Sequence, residues 1–182
     1  MYYTPSDLKR NLPYIRRYQS YNPNPDKVRI YELNEPFDFL GFKCQGYNID
    51  LSEATKRKMK DKIRRKTHSL LRWRSKENIA PETVMKTLIK HFNRKFYESD
   101  EPTMLTWSRW FFPLITSTTG LKDIDHYLQD NIRYLATGKH NKSRFRIRYE
   151  YLQQLGYRSL VHEYYAAKFS WRHKIKKAFD VV

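Results

Sequence analysis

Read for its alternation of apolar and polar positions, the chain divides into a short β-rich stretch and a longer helical one. Ser6 or Asp7 begins a predicted helix toward Ser20, shortened or bent at Pro13. Tyr21-Asn22-Pro23-Asn24-Pro25-Asp26 is dense in turn formers. Lys27 to Leu33 then alternates, with Val28 and Ile30 on one side and Arg29, Tyr31 and Leu33 on the other, which predicts a strand. After Asn34-Glu35-Pro36, the aromatic run Phe37–Phe42 has strand composition, and Gln45-Gly46-Tyr47-Asn48 predicts a turn into a short strand at Ile49. A small antiparallel unit over residues 27–50 is expected.

Beyond residue 50 the period changes from two to about 3.6. Met59, Ile63, Thr67, Leu70 and Leu71 recur at helical spacing, and Asp50-Leu51-Ser52-Glu53 has the form of a capping box with Asp50 as N-cap. A long helix over 52–77 follows. Pro81 starts a second, with Val84, Met85, Leu88, Ile89, Phe92 and Phe96 as its apolar face. Pro102 starts a third, carrying Leu105, Trp107, Trp110 and Phe111. Gly120 breaks the chain before a fourth, marked by Leu121, Ile124, Leu128, Ile132 and Leu135 and closed at Gly138. Ile147 to Leu155 forms a short helix stopped by Gly156, and Leu160 through Phe169 forms a last one leading into a basic tail. The fold class expected is mainly α, a helical bundle preceded by a small antiparallel β unit.

Charge sharpens this picture. The 182 residues hold 36 Lys+Arg against 19 Asp+Glu, a formal net charge of +17. Residues 1–50 carry 7 basic and 6 acidic groups and residues 81–138 carry 7 and 7, whereas 51–80 and 139–182 each carry 11 and 3. Two concentrated basic blocks separated by a neutral one fit a polyanion better than they fit a merely solvated surface. Nucleic acid is the expected partner. Cys44, the single cysteine, excludes an intramolecular disulfide and a multi-thiolate zinc site. The longest strongly apolar run, Trp110-Phe111-Phe112-Pro113-Leu114-Ile115, falls far short of the ~20 residues that cross a bilayer, and the N-terminus has no signal-peptide stretch. A cytoplasmic protein with no membrane partner and no metal site of its own is expected.

Asn24-Pro25-Asp26-Lys27 followed by Phe39-Leu40-Gly41-Phe42 and then the basic stretch Lys56–Lys76 resembles, in that order, the tail of a bacterial reverse transcriptase of the group II intron or retron-like type. The resemblance covers about residues 20–165. It implies that residues 1–50 are the end of a polymerase palm, with Lys27 in its motif D and Phe39, Leu40, Gly41 and Phe42 in motif E, the primer grip. Residues 51–138 would be the helical thumb and 139–182 a basic helical extension. Lys27 would serve as an auxiliary proton donor to pyrophosphate, a role suited to a long, flexible cation. The complete enzyme would use magnesium and deoxynucleoside triphosphates and serve mobile-element or phage-defence roles.

The family's metal-binding carboxylates, an Asp early in the palm and a Tyr-x-Asp-Asp hairpin, have no counterpart here. No two aspartates are adjacent, and the nearest imitation, Asp123-Ile124-Asp125, falls on a helix where the two carboxylates diverge; solvated helix-start acids are the simpler reading. The chain alone is therefore expected to bind template–primer without polymerising, or to be completed by a separate fingers–palm chain. The expected duplex contacts are Lys56, Lys60, Arg64, Arg65, Arg72 and Arg74 on the first long helix, taken at spacings that make neighbours on one surface. Arg109 is expected as a surface exception among core aromatics. Lys139, Lys142, Arg144, Arg146 and Arg148 interleave with Phe145, Ile147 and Tyr149 in a phosphate-contacting loop. The alternative is a self-standing helical nucleic-acid-binding protein whose β unit only caps the bundle.

Overall fold

The structure, a computed structural model, describes residues 31–32, 34–98, 105–139 and 146–179, with 171–179 described by backbone alone. The predicted helix toward Ser20, the turn after it and Lys27 lie outside these residues. Tyr31 and Glu32 belong to no strand; the chain turns there, the Glu35 N–H donating to the Glu32 carbonyl at 3.0 Å.

Three short strands form an antiparallel sheet in sequence order: β1 Phe37–Phe39, β2 Phe42–Gln45 and β3 Asn48–Leu51. The run Phe37–Phe42, expected as one strand, is instead a hairpin. Phe39 pairs with Phe42, and the two residues between them, Leu40 (φ +48°) and Gly41 (φ +92°), both take positive φ. Positive φ at both central positions is the type I′ geometry whose twist matches that of paired strands. A side chain at Gly41 would also meet Thr55 Oγ1 at 2.8 Å, so glycine is required there twice over. The second turn falls at Gly46-Tyr47, as the sequence predicts, with Gln45 opposite Asn48.

Among the described residues six helices follow: α1 Glu53–Glu77, α2 Pro81–Tyr97, α3 Trp107–Phe111, α4 Thr119–Thr137, α5 Tyr149–Gln154 and α6 Leu160–Phe179. The N-cap of α1 is Ser52, whose hydroxyl accepts the Thr55 N–H; Asp50 is not the cap, because it stands inside β3. Its carboxylate reaches across to α4 instead, accepting from Gly120 N (3.1 Å to each oxygen) and Ser117 Oγ (3.0 Å). Gly120 accordingly lies within the first turn of α4 rather than breaking the chain before it. A Cβ there would come within 2.7 Å of Asp50 Oδ1 and 2.9 Å of Leu51 Cβ, so its role is close approach. Between α1 and α2, Asn78 in the left-handed conformation and Pro81 at the first helical position make a tight hairpin.

Helix α3 is shorter than predicted. Thr106 takes the Arg109 N–H and starts the helix at Trp107, and Pro113, which has no N–H to give, follows its last turn; Leu105 is exposed. Pro102 lies outside the described residues.

One hydrophobic cluster runs from Phe42 and Leu51 of the sheet through every predicted apolar position of α2, Phe111, Phe112 and Ile115, the stripe of α4, and on to Leu152, Leu160 and Tyr164. The molecule is thus mainly α with the small sheet sharing the helical core. Ser117 N, Thr116 N and Thr116 Oγ1 all bond to Ile49, which covers the free edge of β3. Among the described residues, no helix is long and apolar enough to cross a membrane.

Candidate nucleic-acid interface

Successive residues turn by about 100° around a helix axis, so eleven cations on one 25-residue helix cannot share one side. On α1 most of them fall into two rows. The inner row leans toward α4. Lys56 pairs with Glu53, holding that exposed carboxyl below its ordinary range. Lys60 Nζ lies 2.7 Å from Asp123 Oδ1 and 5.6 Å from the centre of the Tyr127 ring. Arg74 Nη1 donates to the carbonyls of Leu135 (2.5 Å) and Ala136 (3.2 Å), closing the last turn of α4. Arg64, on the neighbouring flank, is 3.2 Å from Asp61.

The outer row consists of Lys58, Lys62, Arg65 and Arg72, spaced i, i+4, i+7 and i+14, with Lys76 at i+18. These residues are exposed, and no ion pair among the described residues joins the first four; Lys76 sits 3.5 Å from Glu77 with its side chain 83% exposed. Of the residues expected from sequence on this helix, Arg65 and Arg72 therefore belong to the open row. Lys56, Lys60, Arg64 and Arg74 already have internal partners. The i, i+4 steps taken from Lys56 follow the flank of the buried stripe, so the six residues expected from sequence divide between the two sides of the helix.

Helix α2 adds cations that sequence reasoning passed over, because its segment is neutral in sum. Lys66 on α1 and His91 and Lys95 on α2 lie beside Lys62 across the α1–α2 hairpin. Burial first, and then Lys62, pushes the Lys95 ammonium below its ordinary pKa; burial first, and then Lys66 and Lys95, does the same to His91. The i, i+4 spacing of His91 and Lys95 was the available signal.

The primer-grip segment is divided by its turn. Phe42 packs inward, its ring 5.1 Å from that of Phe111, while Phe39 and Leu40 stand 62% and 63% exposed at the hairpin tip. The Gly41 carbonyl accepts from Thr55 Oγ1 (2.8 Å) and Ser52 N (2.9 Å), which fixes this tip against the start of α1.

In the second basic block Lys139 is exposed just past Gly138, the left-handed cap of α4, while Lys142 and Arg144 lie outside the described residues. Arg146 and Arg148 are exposed and, with Ile147, Glu150, Tyr151 and Gln154, line an open cleft of about 490 Å³. Arg133 Nε holds this segment to α4 through the Ile147 carbonyl at 2.9 Å. Arg109 is exposed on α3; around it Phe111 and Phe112 are buried and Trp110 is 40% exposed.

Asp123 and Asp125 diverge as expected, but only Asp123 has the solvated character predicted for both. Asp125 is 3% exposed and accepts from Tyr157 Oη (2.7 Å), Ser159 Oγ (2.7 Å), Leu160 N (2.9 Å) and Val161 N (3.1 Å). It caps α6 from another helix, and with burial it drives the Tyr157 phenol far above its ordinary range. Comparison of the chain with protein-family models, curated proteins and solved structures found no match.

Proposed function

We propose that the chain binds template–primer nucleic acid as the thumb end of an RNA-directed DNA polymerase of the bacterial reverse-transcriptase type, acting in the cytoplasm. The observation that carries this reading is the outer row of α1: exposed cations on one side of a rigid helix, at spacings that can follow a phosphate backbone without reading bases. The hairpin tip supports it, because Phe39 and Leu40 present exposed apolar surface where a primer terminus would meet the start of α1. Arg146, Arg148 and the cleft beside Tyr151 extend the same chemistry, a cationic rim with an aromatic floor. No acidic cluster among the described residues fits a magnesium ion, so no step of nucleotidyl transfer is assigned to this chain. Magnesium, deoxynucleoside triphosphates and a fingers–palm chain belong to the completed enzyme.

The second reading, a self-standing nucleic-acid-binding bundle, draws on Phe42 and Leu51, which seat the sheet in the helical core as a cap would. Both readings use the outer row, and they part at the hairpin tip. Binding of a fluorescent RNA–DNA duplex across a salt series tests the shared claim. Replacing Lys58, Lys62, Arg65 and Arg72 together by Gln is expected to flatten the log–log salt slope by about 3.6, roughly 0.9 for each cation. An unchanged slope would remove α1 from the interface. Replacing Phe39 and Leu40 by Ser separates the two readings: a selective loss on recessed primer ends favours the polymerase thumb, and no loss favours the plain binding module.

A further inference from the structure

Helices α1 and α2 run antiparallel from a turn at residues 78–80, so each step back along α1 is a step forward along α2. Lys66 and His91 therefore stand at one level of the hairpin, and Lys62 and Lys95 at the next. Each helix contributes an i, i+4 pair, and across the α1–α2 seam Lys62 acts on Lys95 and Lys66 on His91. All four are solvent-reachable, Lys66 the least so. No ion pair among the described residues joins any of them to an acid. Like charges held this close oppose one another until an anion arrives.

The surrounding charges leave the patch cationic. On α1, Asp61 is turned to Arg64 and Glu53 to Lys56. On α2, Glu82 is paired with Lys86 at the far end of the helix, Lys90 adds further positive charge, and Glu98, an exposed acid, stands at the C-cap three residues beyond Lys95. On α4, which packs against both helices, Asp123 faces Lys60, Asp125 faces Tyr157 and the start of α6, and Asp130 lies 3.6 Å from Arg133. Lys122 and His126 of that helix are exposed, as is Arg109 on α3. The charges that act on the His91 ring are Lys66 and Lys95. The ring also meets the Phe92 ring edge-on, 5.0 Å between centroids, which limits how it can turn.

We propose that Lys62, Lys66, His91 and Lys95 form a phosphate site for one phosphodiester of the bound nucleic-acid backbone, occupied together with a proton on His91. The site rests on the nucleic-acid reading above and adds a second helix to the interface. Its cause is electrostatic: burial first, and then Lys66 and Lys95, disfavours the charged ring in the free protein, and a phosphate seated among these side chains favours it, so that the ring accepts a proton and becomes a further donor. The sign follows. Bound protein takes up a proton that free protein lacks, so affinity rises as pH falls through the histidine range.

The test measures affinity for a labelled RNA–DNA duplex at fixed salt at about pH 8 and about pH 6, the span over which histidine changes charge. The full chain is compared with His91→Gln and His91→Lys. Wild type is expected to gain several-fold more affinity at the lower pH than His91→Gln, about a factor of five to ten. His91→Lys, carrying a permanent cation, is expected to show at high pH the tighter binding that wild type shows only at low pH. Equal pH ratios in wild type and His91→Gln overturn the site while leaving the outer row intact, and absence of duplex binding at either pH overturns both. NMR titration of the His91 ring supplies the second readout: duplex should raise its pKa. If inorganic phosphate at equal phosphate concentration raises it as far, a free phosphate rather than the backbone is the ligand, and the proposal fails in that form.

Discussion

The α1–α4–α6 side of the molecule and the outer face of the α1–α2 hairpin are both rich in charge, yet they use it in opposite ways. On the first side four charges are tied to a backbone end or an opposite charge: Asp50 to the start of α4, Asp125 to the start of α6, Arg74 to the end of α4 and Lys60 to Asp123. Helix ends leave donors and acceptors unsatisfied, and these side chains close them from neighbouring elements. On the outer face Lys58, Lys62, Arg65, Arg72 and Lys95 meet no acid among the described residues. Residue type alone therefore does not say what a lysine or arginine does in this chain. A charge with a partner is part of the fold, and a row of charges without one is where the proposed interface lies.

Substitution on the two sides should separate stability from binding. The largest stability effect is expected at Asp125: Asp125→Ala strands two α6 N–H groups and the Tyr157 hydroxyl in the interior and should cost about 3 kcal/mol in chemical unfolding. Arg74→Ala should cost less, about 1–2 kcal/mol, because the end of α4 keeps its Gly138 cap. Its duplex affinity, measured where the protein is fully folded, should remain within about twofold of wild type; a large loss with intact folding would move Arg74 into the outer population.

The smallest effect joins the two sides through pH. Folding lowers the His91 pKa, by burial first and by Lys66 and Lys95 next, so as pH falls the unfolded chain takes up this proton before the folded one. The contribution to stability is complete above the ordinary value of 6.5 and is lost as pH drops through it. Thermal midpoints of wild type should thus fall more steeply below that pH than those of His91→Gln. Bound duplex should reverse the trend, since the phosphate favours the charged ring.

The hydrophobic period determined much of this architecture by itself. In α2 all six positions named from spacing are buried, because a 3.6-residue repeat of large apolar groups has one stable burial mode whatever it packs against. The same holds for Met59, Ile63, Thr67 and Leu70 in α1 and for the stripe of α4. Local rules also placed Pro81, Gly138 and the turn at Gly46, where backbone geometry restricts the residue type.

Tertiary structure decided what local rules leave open. Asp50 looks like the cap of the next helix in sequence, yet it caps one seventy residues away, because β3 carries it to the start of α4. Leu40-Gly41 reads as the middle of an aromatic strand, and becomes a turn because the β1–β2 pairing closes there over Thr55. The composition of residues 51–80 predicts a strongly basic helix, but the division of its cations was set by the placement of α4. Asp123 and the open carbonyls of Leu135 and Ala136 draw Lys60 and Arg74 inward. Helical period lies in the sequence, whereas partnership between charges depends on which distant element arrives beside them.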